Sequence, residues 1–150
     1  MTIRDATQED IPTIVDFQIK MALETEELNL DPDVVKKGVA AVFGDPSKGR
    51  YFVAEEEDAV VASLMITYEW SDWRNGLVWW FQSVYVRPEY RMKGVFAQMY
   101  HYIKKTVEAS ADVRGLRLYV YKRNIPAQKT YTRLGMNGSH YDTYEWMRSF

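Results

Sequence analysis

The residues Val84-Tyr85-Val86-Arg87-Pro88-Glu89-Tyr90-Arg91-Met92-Lys93-Gly94-Val95-Phe96 carry an apolar run through a tight turn into a helical pattern. A helix start leaves backbone N–H groups without intrahelical partners, and its summed dipole is positive, so such a junction can receive an anion. No Ser, Thr, Asp or Asn stands at the expected cap, which leaves the donors around Lys93 to Phe96 for a ligand. Arg91 and Lys93 bring cations to the same place, and Gly94 lets backbone approach closely. The sequence contains neither G-x-x-x-x-G-K-[ST] nor G-x-G-x-x-G, so the P-loop and the dinucleotide loop are set aside. Taken alone, R-x-x-G also suits an ordinary strand-turn-helix connection.

Other reactive groups narrow the chemistry. With no cysteine, a thiolate nucleophile, a cysteine-ligated zinc and an iron–sulfur cluster are excluded, and a reducing compartment, by default the cytoplasm, is expected. Ser83 has no His and Asp partners in a nucleophile elbow, and no His/Asp/Glu spacing resembles a metal site. His101, well inside a helix, and His140 read as structural or exposed.

The elements that must hold these groups follow from periodicity. Thr2 to Ala6 reads as a strand, and Thr7 caps a helix with Ile11, Ile14, Val15 and Ile19 on one face. Asp31-Pro32 opens a second helix that stops near Gly44-Asp45-Pro46. Tyr51 to Ala54 and Val60 to Tyr68 form a hairpin around an acidic turn, and the stretch Glu69 to Gly76 reads as a longer loop. Leu77 to Val86 is apolar enough to be buried on both faces. From Gly94 to Ser110 the residues Val95, Met99, Ile103 and Val107 recur every four, a clear helix. Leu116 to Tyr121 is a strand, Pro126 to Leu134 a short helix, and Tyr141 to Met147 a closing strand. One domain over residues 1–150 with a mixed α/β sheet and helices on both faces is the economical architecture.

A second segment, Asn124-Ile125-Pro126-Ala127-Gln128-Lys129-Thr130-Tyr131-Thr132-Arg133-Leu134-Gly135-Met136, follows one strand after the turn. Together with Arg91-Met92-Lys93-Gly94-Val95-Phe96 it resembles the GNAT superfamily of acyl-CoA-dependent N-acyltransferases, whose R/Q-x-x-G-x-G/A turn takes the CoA pyrophosphate and whose N-x-x-A-x-x-x-Y-x-x-x-G-F helix comes next. The opening Ile3-Arg4-Asp5-Ala6-Thr7-Gln8-Glu9-Asp10 extends the likeness over nearly the whole chain. Two positions depart: Phe96 replaces a small residue, and Gly135-Met136 replaces Gly-Phe.

The resemblance implies a GNAT fold, with a mostly antiparallel sheet splayed between its fourth and fifth strands, and acetyl-CoA as co-substrate without a metal. It implies that Val84, Tyr85, Val86, Arg91, Met92, Lys93, Gly94, Val95, Phe96, Asn124, Ala127 and Tyr131 contact CoA. The thioester would lie between the strand Gln82 to Val86 and Leu118 to Tyr121, with a backbone N–H near Val84 or Tyr85 facing the developing oxyanion. Tyr131 would protonate the departing sulfur, since a phenol of pKa ~10 can serve a thiol of pKa ~8.5. The acceptor amine must be unprotonated to attack, so a base or a water chain is expected. Gln82 and Ser83 are not basic, which leaves Glu69 and Asp72, with Tyr85 or a water on Ser83 as further candidates. Transfer would be direct, to a primary amine of a small molecule.

The stretch Tyr68-Glu69-Trp70-Ser71-Asp72-Trp73, followed by Trp79-Trp80, interleaves rings with carboxylates, a surface suited to a cation. Its layout is similar to that of the diamine, polyamine and thialysine branch of the family, and Glu24, Glu26 and Glu27 add negative charge. Core packing and a homodimer face are the competing uses of those rings. Nineteen basic against 21 acidic residues, a net charge of -2, provide no global field for nucleic acid. No signal-like segment or ~20-residue apolar run appears, so neither export nor a membrane is expected. A non-catalytic acyl-CoA sensor and a protein or peptide N-acetyltransferase are the alternatives to a small-molecule enzyme.

Overall fold

The computed structural model describes residues 1–149. They fall into two compact units, residues 1–117 and the part from Leu118 onward. The first unit is built on a five-stranded sheet in which strands β1 (Thr2–Asp5), β2 (Arg50–Glu56), β3 (Ala59–Ser71), β4 (Gly76–Val86) and β5 (Val113–Arg117) lie in sequence order. The first three pairings are antiparallel, and β4 with β5 is parallel. Helices α1 (Ile11–Glu26) and α2 (Pro32–Gly44) fill the β1–β2 connection, and α3 (Val95–Glu108) joins β4 to β5.

Alternation along β2 puts helices on both faces of this sheet. Tyr51 and Val53 join Ile14 of α1 and Val39 of α2 in one buried cluster. Phe52, between them, points the other way and meets Tyr102 of α3 at 6.1 Å. A 3-10 turn, Gln8–Asp10, precedes α1, and the Thr7 N–H donates to Asp10 Oδ2 at 2.7 Å. The Arg4 guanidinium spans Asp10 (2.8 Å) and Glu55 (2.7 Å), tying β1, this turn and β2 together. At α2 the Asp31 carboxylate accepts from the Asp33 N–H at 2.9 Å, the cap expected there.

Three expectations are corrected. Glu69 to Gly76 is not a long loop: β3 runs through Ser71, and the chain reverses over four residues, with Asn75 at φ +48°. Thr67, Glu69 and their aromatic neighbours keep the period of two opposite Trp80, Trp79 and Val78, so the ladder continues outward. The fifth strand is Val113–Arg117, earlier than Leu116 to Tyr121, because the Leu77 N–H bonds Asp112 O at 2.8 Å and fixes where pairing begins. Its register with β4 ends at Trp80↔Arg117, although β4 continues to Val86. The closing strand expected over residues 141–147 is absent among the described residues. Alternation equips a segment for a ladder without supplying the edge it must pair with.

The second unit contains one helix, α4 (Ile125–Arg133), followed by residues 134–149 without helix or strand. Asn124 caps it by accepting the Ala127 N–H at 3.2 Å, and Gly135, at φ +90°, ends it. No helix among the described residues is long and apolar enough to cross a membrane.

Candidate active site

Beyond Val86 a short 3-10 turn, Pro88–Tyr90, leads to Arg91 and then to Gly94, the residue that caps α3. Gly94 has φ +75°, a left-handed conformation that costs an L side chain about 1–2 kcal/mol, and no side chain caps the helix. A Cβ built on Gly94 meets nothing within 4 Å, so the space in front of the first α3 amides is open. Lys93 and Met92 are exposed beside it, whereas Val95, 2% exposed, anchors the helix in the core. Phe96 packs at 5.9 Å from Phe81 and 6.4 Å from Tyr100, so its ring is drawn onto the sheet and away from the open turn. Arg91 is already occupied: Nε donates to Val86 O at 2.8 Å and Nη2 to Glu24 Oε2 at 2.7 Å. Within the turn the cation with its head in solvent is therefore Lys93, whose ammonium lies 5.7 Å from the Tyr90 ring centroid.

The end of β4 is bulged. Gln82 faces Met65 and Tyr85 faces Ser63, so three steps on β4 match two on β3, and Ser83 takes φ +53°. The extra residue flips the side chains that follow. Phe81 lies against Tyr100 of α3, yet Tyr85, four positions later, meets Phe17 of α1 at 4.8 Å with the rings tilted by 35°. Val84 and Val86 flank it, half-buried, on the part of β4 that has no β5 neighbour in register. The Tyr85 hydroxyl donates to Glu24 Oε1 at 3.4 Å. Burial, reinforced by the Glu24 charge, pushes this phenol up, so it is protonated near neutrality. Opposite it the Ser63 hydroxyl is fully buried with no partner among the described residues.

Glu69 sits where β4 and β5 part. Its carboxylate accepts from the Trp80 indole N–H at 2.8 Å and from Arg117 at 2.8 and 3.1 Å, the two residues of the last β4–β5 pair. The Trp80 hydrogen bond, then Arg117, hold this acid below the usual carboxylate range. Gln82 donates to Thr67 at 3.3 Å on the same face of the sheet. Asp72, Trp70 and Trp73 belong instead to the β3–β4 turn. Gly76 to Val86 spans roughly 33 Å at ~3.3 Å per residue, so these groups stand at the opposite end of β4 from Gly94. Trp79 is buried, against Tyr68 at 6.0 Å. His101 and His140 are both exposed.

In the second unit Asn124 Oδ1 accepts the Ala127 N–H, so both residues are engaged in the start of α4. Tyr131 is half-buried on α4, and burial raises its phenol above the ordinary value. Among the described residues no group of three or more His, Asp or Glu is arranged to hold a metal.

The uncapped left-handed turn can receive an anion, the bulge lies two to three residues before the end of β4, and the Glu69 carboxylate stands farther down the strand where its pairing with β5 ends. Comparisons with known proteins bear on the family and the fold. The acetyltransferase (GNAT) family profile matches residues 15–136. Among solved structures, a possible acetyltransferase from Clostridium difficile 630 is 47% identical, with a TM-score of 0.91 over 99% of this chain and 98% of that one. The integron cassette protein HFX_CASS3 from the mobile metagenome of Cole Harbour Salt Marsh is 23% identical, with a TM-score of 0.84 over 98% and 90%. A predicted acetyltransferase with acetyl-CoA from Clostridium acetobutylicum is 18% identical, with a TM-score of 0.70 over 99% and 95%, a likeness of fold. No curated protein matches the chain.

Proposed function

The chain belongs to the GNAT acetyltransferase family, and from that premise we propose that it moves the acetyl group of acetyl-CoA directly to a primary amine on a small, cationic molecule. The observation that carries this reading is the start of α3, where a left-handed glycine, open space and no capping side chain leave helix amides for a diphosphate. Lys93 adds charge there. Acetyl-CoA would supply the activated thioester.

The part of β4 around Val84 and Tyr85, paired with β3 but beyond its register with β5, offers backbone N–H on the β5 side to polarise the thioester carbonyl. Tyr131, kept protonated by burial, gives its proton to the departing sulfur. The Trp80 ring and Glu69 at the fork receive the amine. Because its neighbours hold Glu69 ionised, it orients the amine and stabilises its charge, and is a weak base; the proton leaves through water. Tyr85, fixed by Glu24 and Phe17, shapes the wall behind the reacting centre.

The test is release of free CoA from acetyl-CoA against a panel of diamines, polyamines, neutral amines and peptides, with binding followed by calorimetry. Turnover with the cationic amines is expected, and Gly94→Glu abolishes CoA binding while the fold persists. Tight CoA binding without turnover on any amine makes the chain an acyl-CoA sensor; turnover confined to peptides overturns the small-molecule acceptor.

A further inference from the structure

We propose that the first unit holds a second small-molecule site, apart from the Gly94 turn, where α2 ends over the start of β2, and that it takes a small neutral aromatic molecule carrying a carbonyl group. Local rules open the space. Helix α2 stops at Gly44, and Asp45 closes the following turn on itself: its carboxylate accepts from the Ser47 N–H at 3.0 Å and the Ser47 hydroxyl at 2.7 Å, and pairs with Lys48 at 2.8 Å. Gly49 then lets β2 press against β3, since a Cβ there would stand 2.8 Å from Ile66 O. The β2–β3 ladder begins at Arg50↔Ile66, whereas β3 runs on to Ser71, so Tyr68 stands beyond the start of β2. Between these pieces lies a cavity of about 200 Å³ whose walls include Val42, Phe43, Pro46, Arg50, Tyr51 and Tyr68, all within residues 1–117.

The walls select the occupant. Phe43 and Tyr51 stack at 5.7 Å with their planes 12° apart, an aromatic wall that Val42 and Pro46 extend. Tyr51 is 6% exposed, yet its hydroxyl makes no hydrogen bond among the described residues, and burial alone pushes its phenol up to about 12. The hydroxyl of the half-buried Tyr68 likewise makes no hydrogen bond among the described residues. A buried donor left unsatisfied costs about 1–3 kcal/mol, so two phenols in one apolar cavity favour a ligand that brings an acceptor. The cations nearby are already neutralised, Arg50 by Asp5 through Nε and Nη2 and Lys48 by Asp45, and no carboxylate lines the cavity. A carboxylate ligand therefore gains no counter-charge and an ammonium finds no partner, whereas a neutral carbonyl oxygen matches the phenols. The volume lies below the ~300–1,000 Å³ of pockets for drug-sized molecules, which limits the body to about one ring. Ile66, paired with Arg50, faces Phe81, roughly 17 Å before Val86 at ~3.3 Å per residue, so the cavity is remote from the end of β4 that leads to Gly94.

Benzamide is the probe, with toluene, benzoate and benzylamine as controls, and binding to the full chain is read by NMR titration. Benzamide should bind saturably and more tightly than each control. Tyr51→Phe and Tyr68→Phe keep the rings and delete only hydroxyls without partners, so each should leave the unliganded melting temperature nearly unchanged and weaken benzamide about two- to tenfold. Gly94→Glu should bind benzamide as the parent does, which keeps this test independent of CoA binding. Absence of saturable benzamide binding overturns the proposal, as does an affinity indifferent to both hydroxyl deletions. A preference for benzoate or benzylamine overturns the assigned ligand chemistry, and displacement of benzamide by CoA overturns a separate site.

Discussion

The proposed reaction needs Glu69 ionised and Tyr131 protonated, and their surroundings push them in those opposite directions. Trp80 and Arg117 lower the acid, and burial raises the phenol, so at neutral pH one is charged and the other carries its proton. Tyr131→Phe should therefore lower kcat by about 10²-fold or more with CoA affinity nearly unchanged, read from steady-state kinetics beside calorimetry. Glu69→Gln should act mainly on the amine, raising its KM about tenfold, while Arg117→Met, which frees the carboxylate, should move the acid limb of the pH–rate profile upward. A second carboxylate concerns stability alone. Asp10 is held below its ordinary value first by the Arg4 hydrogen bond, and it is 6% exposed. The folded value lies below the unfolded ~3.9, so the stabilisation is present above that pH and is lost as pH falls through the folded value. Asp10→Asn should cost about 1–3 kcal/mol at pH 7 and flatten the acid dependence of urea unfolding below pH 4.

Two short backbone features organise the elements. The bulge at Ser83 turns Tyr85 from the α3 face to the α1 face, where Glu24 and Arg91 fasten it. A β-branched side chain tolerates positive φ poorly, so Ser83→Val should destabilise the protein by about 1–2 kcal/mol and reduce turnover together. Ser83→Gly should keep both near the parent, a contrast measurable by denaturant titration and CoA release. Gly94→Ala adds a Cβ to open space, so its folding cost comes only from φ +75°, about 1 kcal/mol. Its larger effect should be weaker CoA binding, since the methyl group stands where a phosphate must approach the amides.

For the molecule as a whole, ligand binding and stability are linked. Coenzyme A at a hundredfold excess over its Kd should add about 2.7 kcal/mol and raise the melting temperature, and Gly94→Glu should erase that rise while lowering the unliganded value only by the strain of φ +75°, about 1–2 kcal/mol. A shift that survives in Gly94→Glu would locate the CoA contact elsewhere.

The Gly94 turn, the α3 repeat of Val95, Met99, Ile103 and Val107, and the Asp31 cap of α2 are legible in the order of residues, because each is a contest among neighbours only a few positions apart. The residues from Glu69 to Gly76 read locally as a loop, whereas a ladder extends as far as its partner strand does, and that partner's register is not written locally. The same reason hid the contact of Glu24 with Arg91, 67 positions away, and of Glu69 with Arg117, 48 positions away. Sequence alone determined the α3 helix with its uncapped glycine start, the absence of any cysteine and the likeness to the family. Only the tertiary structure decided which charges are already neutralised, on which face Tyr85 emerges and where β4 and β5 separate, because strand register and one extra residue in a bulge set those positions at long range.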